Sequence, residues 1–436
     1  MDQSVNTPDF NSPEYKRSRV AYTFDCAFEY FVALLVSGSF LATLLSYLGM
    51  SDALIGIISS FISLSFLFQL FSVFVVQKIA NTKRFVTVFH FLSQIFFMSL
   101  YLVPFLPFGY KQKEILIILC ILAAYFGNYF VTSMIYQWGN SYVKPTGRAR
   151  FSATKEMISL ACGMAVTLVA GYVMDIFEMA DDLEGGFIFC AISIFIFSLS
   201  DLVCLMLIKN RIKTTEEMRT KTPLKEVLKN TLGNKNYINI TILQILWDVG
   251  RYFTTGFLAT YAINAHELNF SMSAVQIILA VANLGRFFAS RPFGRFSDKY
   301  SFAKGIELGL ILAALSFGVS VFMTPETRYL YLVFCLLNHV CLAGISQNLL
   351  NITYNFVDSK YVAEAMAIKN SLGGICGFGA SLIGSALLTH IQENGNTLFG
   401  LHIYGQQFLS IISFIILTAA VIFTKAVIQK QKAMIQ

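Results

Sequence analysis

Twelve apolar stretches, each long enough to cross a bilayer, fill nearly the whole of this 436-residue chain. A helix needs about 20 apolar residues to span a hydrocarbon core roughly 30 Å thick. Windows of that length fall near 20–47, 52–77, 84–107, 114–139, 151–176, 187–208, 237–263, 272–293, 304–323, 329–355, 363–390 and 405–427. They lack the alternating period of a membrane barrel, so the expected class is an all-α, polytopic membrane protein. Hydrophobic residues at 56% and charged residues at 13% exclude an ordinary soluble domain.

The second six stretches echo the first six. Aligning 149–168 with 363–382 without gaps pairs Ala149/Ala363, Ala153/Ala367, Lys155/Lys369, Cys162/Cys376, Gly163/Gly377 and Leu168/Leu382 as identities. A second echo is the tetrapeptide Phe-Leu-Ala-Thr, at Phe40 to Thr43 and again at Phe257 to Thr260. A duplicated six-helix unit in a membrane implies two bundles that move against each other around a shared cavity. The chain divides accordingly into a tail (1–19), an N-terminal bundle (20–208), a linker (209–236), a C-terminal bundle (237–427) and a second tail (428–436). In the linker, Leu224, Val227, Leu228 and Leu232 share one face opposite Lys225, Glu226, Lys229 and Asn230, the pattern of a short amphipathic helix on the membrane surface.

Basic residues set the expected orientation. With the N-terminus inside, the cytoplasmic connections carry Lys16, Arg17, Arg19, Lys78, Lys83, Arg84, Lys144, Arg148 and Arg150, together with the lysines and arginines of the linker. The outer loops add little beyond Lys111, Lys113 and Arg328. This bias places both termini in the cytoplasm. The net charge of +7 is thus a topology signal rather than a nucleic-acid footprint. Residues 1–19 do not read as a cleavable signal peptide. All eight cysteines lie inside apolar spans without metal-ligand spacing, and are expected to be packing residues.

Charged and amide side chains inside the spans are the candidate functional groups, because each is costly unless it faces a partner or water. Asp25 and Glu29 lie one helical turn apart on the first span, where two nearby carboxylates suit proton uptake and release. Trp247, Asp248, Arg251 and Tyr252 cluster near the middle of the seventh span. Asp248 and Arg251 have the spacing of an intrahelical ion pair, while Trp247, Arg251, Thr254 and Thr255 share a face suited to a cavity wall. The fourth span carries a polar stripe of Tyr129, Ser133, Tyr136, Gln137 and Asn140. The tenth carries Gln347, Asn348, Asn351, Tyr354 and Asn355. Such stripes serve either as interhelical hydrogen-bonding groups or as the lining of a cavity for a hydroxyl-rich solute. Lys155 and Lys369 sit above strips of small residues (Ser159, Cys162, Gly163; Gly373, Cys376, Gly377), and a structural role is expected for both. Asp201 and Arg286 stay ambiguous, and His339 reads as a packed polar residue.

Between the eighth and ninth windows the chain runs Gly294-Arg-Phe-Ser-Asp298-Lys299-Tyr300-Ser301. This resembles the signature loop of the major facilitator superfamily, with Ser301 where Gly is usual. The counterpart in the first half, near Gln77, Lys78, Lys83 and Arg84, is degenerate. The resemblance covers essentially the whole chain in helix count, duplication and topology. It implies a secondary active transporter whose halves rock about a central site lined by helices 1, 4, 7 and 10, where the polar stripes fall. Gly294, Arg295, Asp298 and Lys299 would then act as a conformational gate, with Asp298 facing Arg291 or Arg295 or capping a helix.

From these features the expected activity is movement of a small polar solute, such as a sugar, glycoside or nucleoside, coupled to an ion, with a proton favoured. The expected partners are that solute, the coupling ion and the lipid bilayer. No phosphate-binding Gly-x-x-x-x-Gly-Lys-Ser/Thr loop is present, so direct ATP drive is not expected. Proton-coupled drug efflux is the alternative, weakened by the absence of proline in the fifth span. A transport-dead receptor is a remoter one. No enzyme activity, cofactor, metal or nucleic-acid partner is expected. By resemblance, the expected setting is a monomer in a bacterial inner membrane.

Overall fold

A computed structural model describes residues 10–75, 82–144, 148–210, 231–357, 362–398 and 400–431. Each apolar window is helical over most of its described residues. In chain order the helices are α1 (Pro13–Leu35), α2 (Gly38–Tyr47), α3 (Asp52–Ser59), α4 (Phe61–Val75), α5 (Thr82–Leu100), α6 (Tyr110–Asn140), α7 (Arg148–Met179) and α8 (Leu183–Leu207). After the linker come α9 (Lys235–Tyr252), α10 (Leu258–Ile263), α11 (Met272–Lys299), α12 (Phe302–Ser320), α13 (Leu330–Tyr354), α14 (Val362–Glu393) and α15 (Gly405–Ala426). A two-residue antiparallel hairpin, β1 (Thr397–Leu398) with β2 (Leu401–His402), closes the connection before α15. The surface helix expected around Leu224, Val227 and Leu228 lies outside the described residues, as do Gln77 and Lys78.

Three spans are broken, and the breaks have local causes. The first breaks between α1 and α2 at Ser37-Gly38, where Ser37 Oγ donates to the Ala33 carbonyl at 2.6 Å and Gly38 takes a φ of 56°. That left-handed backbone suits only glycine without strain. The seventh breaks between α9 and α10, where the Thr255 hydroxyl donates back to the Arg251 carbonyl. Hydroxyls that return to the preceding turn bend helices. Both breaks immediately precede the repeated Phe-Leu-Ala-Thr, so the duplication extends to the kink. The second span breaks between α3 and α4, where Ser60 Oγ donates to the Gly56 carbonyl at 2.8 Å.

Packing repeats as well. In the N-terminal half α1 contacts α7 and α8, α6 contacts α4 and α5, and α5 contacts α8. The C-terminal half repeats the scheme: α9 on α14 and α15, α13 on α11 and α12, and α12 on α15. Each half has its own apolar core, Phe40, Leu44, Phe97 and Phe187 in the first and Tyr261, Leu310, Phe317 and Leu417 in the second. The outer surface is apolar, with Phe288, Tyr172 and Ile422 all more than half exposed. A surface of this kind on helices of bilayer length belongs to a multi-pass membrane protein.

Among the described residues nine helical segments are long and apolar enough to cross a bilayer, or ten when the bent pair α1 and α2 is taken as one. The third and seventh spans miss that measure: α5 opens on Lys83 and Arg84 and carries His90 and Gln94, and α9 carries Lys235, Asp248 and Arg251. The departure from uniform hydropathy marks where the chain keeps its chemistry.

The halves meet along α4 with α14, α7 with α11, α3 with α14 and the 255–257 turn, and α2 with α10. Hydrogen bonds between them gather at the end opposite the chain termini. Gln392 Nε2 reaches Asp52 Oδ2 at 3.0 Å, Ser385 Oγ the Ala53 carbonyl at 3.1 Å, and Gln276 Nε2 Ser39 Oγ at 2.9 Å. The Ser273 backbone N–H donates to Asp175 at 3.1 Å. Nearer the middle, Ser371 Oγ donates to the Phe66 carbonyl at 2.9 Å and Arg286 pairs with Glu156 at 3.3 Å. At the end carrying the termini, no hydrogen bond joins the halves among the described residues. Among the described residues the hydrogen-bonded latch lies at one end and near the middle, while at the other end Leu70 packs against Tyr237, Ala365 and Ile368.

Candidate substrate and coupling site

Arg251 occupies the break of the seventh span, beside the seam between the halves. Its guanidinium lies 5.9 Å from the Trp247 ring and 5.3 Å from the Tyr252 ring, within cation–π range of both. Arg251 Nε has no hydrogen-bond partner and, among the described residues, no carboxylate pairs with it. The intrahelical ion pair expected with Asp248 does not form. Asp248 is buried and points instead toward α14: Gln244 Nε2 donates to Asp248 Oδ2 at 2.8 Å, and a Cβ at Gly373 would lie 2.1 Å from that oxygen. The small residue at 373 is therefore what admits the carboxylate. Trp247 and Thr254 do not line the cleft as expected. Trp247 is buried in the C-terminal core, and the Thr254 hydroxyl bonds Ser413 at 2.6 Å.

Across the seam, Tyr129 on α6 packs edge-on against Phe66 at 5.4 Å. It lies within electrostatic reach of Tyr252, Arg251 and Glu29. Glu29 is half-buried, with Asn128 nearby on α6. Tyr129 thus lies near Glu29 of its own half and near Arg251 and Tyr252 of the other. Asn140 sits at the end of α6, Asn351 is half-buried, and Tyr354 is exposed. The side chains of Gln137 and Gln347 lie outside the described residues. Asn348 departs from the cavity expectation: it is buried within its own half, where Nδ2 donates to Ser297 Oγ at 2.9 Å and to the Gly344 carbonyl at 2.6 Å. It ties α13 to α11.

The repeated lysines occupy matching places. Lys155 Nζ lies 4.5 Å from the Tyr22 ring and 3.2 Å from Cys26 Sγ on α1. Lys369, on the equivalent helix of the second half, is 3% exposed; its Nζ donates to the Leu349 carbonyl at 3.1 Å and Thr353 Oγ1 at 3.3 Å, near Asp248. Each half thus carries an ammonium on its fifth helix facing a carboxylate-bearing first helix.

At the expected gate, Gly294, Arg295, Asp298 and Lys299 are all exposed in the last turns of α11. Asp298 makes no ion pair with Arg291 or Arg295 and caps no helix; Ser301 caps α12, accepting from the Lys304 N–H at 3.2 Å. Lys299 and Lys304 flank the Tyr300 ring, each at 5.2 Å. At the latched end a cavity of about 380 Å³ lies between the halves, lined by Thr43 and Thr260 of the two repeats with Ser46, Met50, Met174 and Asn264.

One group of residues has no counterpart among the sequence expectations. His90 Nε2 lies 2.9 Å from Asp201 Oδ2, and Asp25 stands beside them. All three are essentially inaccessible. The available signals are a lone histidine on α5 and a lone carboxylate in the otherwise uncharged interior of α8, and no spacing rule connects residues on different helices.

Two pseudo-symmetric six-helix bundles around a seam with opposed polar groups define a transporter of the major facilitator type. Residues 44–362 match the family model described as MFS/sugar transport protein, and the chain belongs to that family. A point mutant of the nucleoside transporter NupG superposes with a TM-score of 0.71 over 94% of this chain and 99% of its own, at 13% identity. A bacterial homologue of the human lysosomal transporter Spinster, in an inward-facing and unoccupied conformation, gives 0.65 at 15% identity over 97% and 98%. A point mutant of the peptide transporter POT, in complex with sulfate, gives 0.65 at 13% identity over 97% and 96%. No curated protein sequence matches this chain. At these identities the structural likeness establishes the twelve-helix fold, not the cargo.

Proposed function

We propose that this transporter carries a small polar solute, of the sugar, glycoside or nucleoside class, with a proton as its coupling ion. The observation that carries the reading is Arg251: a guanidinium without a carboxylate partner among the described residues, within cation–π range of the Trp247 and Tyr252 rings beside the seam where the halves separate. Free N–H donors on a rigid fork suit the hydroxyl or carbonyl oxygens of a polar solute. Glu29 and Tyr129 supply an acceptor and a further hydroxyl from the opposite half. With the basic loops in the cytoplasm, the latched end faces outward and the site opens inward. Movement would then exchange this latch for contacts around Gly294, Arg295, Asp298 and Lys299.

The family and two of the neighbours, transporters of nucleosides and peptides, support polar over lipophilic cargo. The test is ligand-induced thermal stabilisation of purified protein across sugars, nucleosides, peptides and lipophilic cations. A polar solute should stabilise the wild type but not Arg251→Ala. Stabilisation by lipophilic cations alone, indifferent to Arg251, would replace this reading with drug efflux.

A further inference from the structure

Asp25 is 1% exposed, yet neither of its carboxylate oxygens receives a hydrogen bond. Its neighbours are Asp201 and His90, with one ligating atom of each residue within 4.8 Å of the others. An unpaired ionised carboxylate at such a position is strongly disfavoured. The surroundings supply too little positive charge. From α1 come Asp25 and Glu29 with the neutral Tyr22 and Cys26; from α5, His90; from α6, Asn128 and Tyr136; from α7, Lys155; and from α8, Asp201 and Cys204. Even with His90 and Lys155 both cationic, the carboxylates of Asp25, Glu29 and Asp201 outnumber them by one. A single bound cation completes the cluster.

We propose that Asp25, His90 and Asp201 form a buried proton-binding site that loads the N-terminal bundle with the coupling proton, an assignment resting on the proton-coupled reading above. His90 Nε2–H donates to Asp201 Oδ2, and the bound proton sits on Asp25, whose O–H donates to Asp201. Asp25 is then neutral, and its proton joins the two carboxyl groups. Glu29 lies one turn from Asp25 and is half-buried, so it offers the exchange route between this site and the seam. Loss of the proton leaves two carboxylates facing each other across the α1–α8 contact, within the bundle that must move. Release and movement thereby act on the same helix pair. Gln94, whose Nε2 lies 3.3 Å from His90 Nε2 and whose Oε1 is buried without a partner, is the remaining polar neighbour.

Infrared difference spectroscopy on the full-length protein in lipid nanodiscs, stepped in pH, reads this proton directly. The expected result is a protonated-carboxyl band in the wild type that appears and disappears with pH and shifts in deuterated water. It should be lost in Asp25→Asn and Asp201→Asn, retained in Asp25→Glu, and changed in frequency in His90→Gln. A wild type without a titrating carboxyl band would overturn the proposal even if the asparagine variants fail to fold. So would a band that survives in both asparagine variants. Thermal stabilisation by Mn²⁺, Zn²⁺ or Na⁺ that abolishes the band and depends on Asp25 would replace the proton with a metal cation. The measurement needs no solute, so failure to find a transported sugar or nucleoside would leave its outcome intact.

Discussion

A backbone contact between the halves gives the sharpest prediction. Gly374 on α14 faces the backbone of α4 so tightly that a Cβ there would lie 2.2 Å from the Ser63 carbonyl oxygen. A backbone carbonyl cannot swing aside as a side-chain tip can, so an alanine must push α4 and α14 apart. Overpacking of this kind costs about 1–3 kcal/mol. Applied only to the conformation in which these helices touch, it shifts the equilibrium away from the latched state by roughly 5- to 150-fold. Gly379, on the same helix, has nothing within 4 Å of where a Cβ would stand and serves as the control. Spin labels at Lys111 and Asn394, both exposed near the latched end, would report the separation in a cysteine-depleted background. Gly374→Ala should broaden or lengthen that distance, while Gly379→Ala should not. Identical distributions in the two variants would refute the argument that backbone contact at this point holds the halves.

Three further outcomes follow from named contacts. Glu267, in the connection before α11, is 7% exposed; burial, with the Asp52 charge adding to it, raises its carboxyl from 4.5 to about 8, although Gln406 donates to it at 3.1 Å. The folded state therefore holds this proton more tightly than the unfolded one. Stability from this group should be complete below pH 4.5, fall by up to about 1.4 kcal/mol per pH unit as pH rises toward about 8, and level off above that. Thermal unfolding across this range should show the slope in wild type and a flatter profile in Glu267→Gln. Replacing Asn348 with alanine removes its bond to Ser297 and should lower stability by about 1 kcal/mol, read as a lower unfolding temperature with solute affinity unchanged. Gly38→Ala, at a φ of 56°, should cost about 1–2 kcal/mol in the same assay, while Ser37→Ala costs less.

The architecture is legible in the sequence because hydropathy and duplication are properties of the chain read in order. The repeated Phe-Leu-Ala-Thr even marks the matching breaks in the first and seventh spans, once the hydroxyl and glycine before it are considered. What lies across helices is legible only in part. Asp248 and Arg251 have the spacing of an ion pair, but the small residue at Gly373 admits Asp248 toward α14 and leaves Arg251 to the aromatic rings. Asn348 belongs to a polar stripe and so reads as a cavity amide, yet Ser297 on α11 supplies a buried partner that no periodicity marks. His90 is silent for the same reason: its significance lies in Asp201 and Asp25, on two other helices. The α5 and α9 spans, too polar to count by hydropathy alone, are where such groups concentrate.

Transport itself is tested by uptake of labelled sugars and nucleosides into proteoliposomes containing the wild type or Arg251→Ala, with and without an inward proton gradient. At least one polar solute should accumulate with wild type, the gradient should increase the accumulation, and Arg251→Ala should abolish it while the protein remains folded. Accumulation that proceeds equally well without Arg251 would contradict the assignment of the site, and accumulation indifferent to the gradient would contradict the proton as its driving ion.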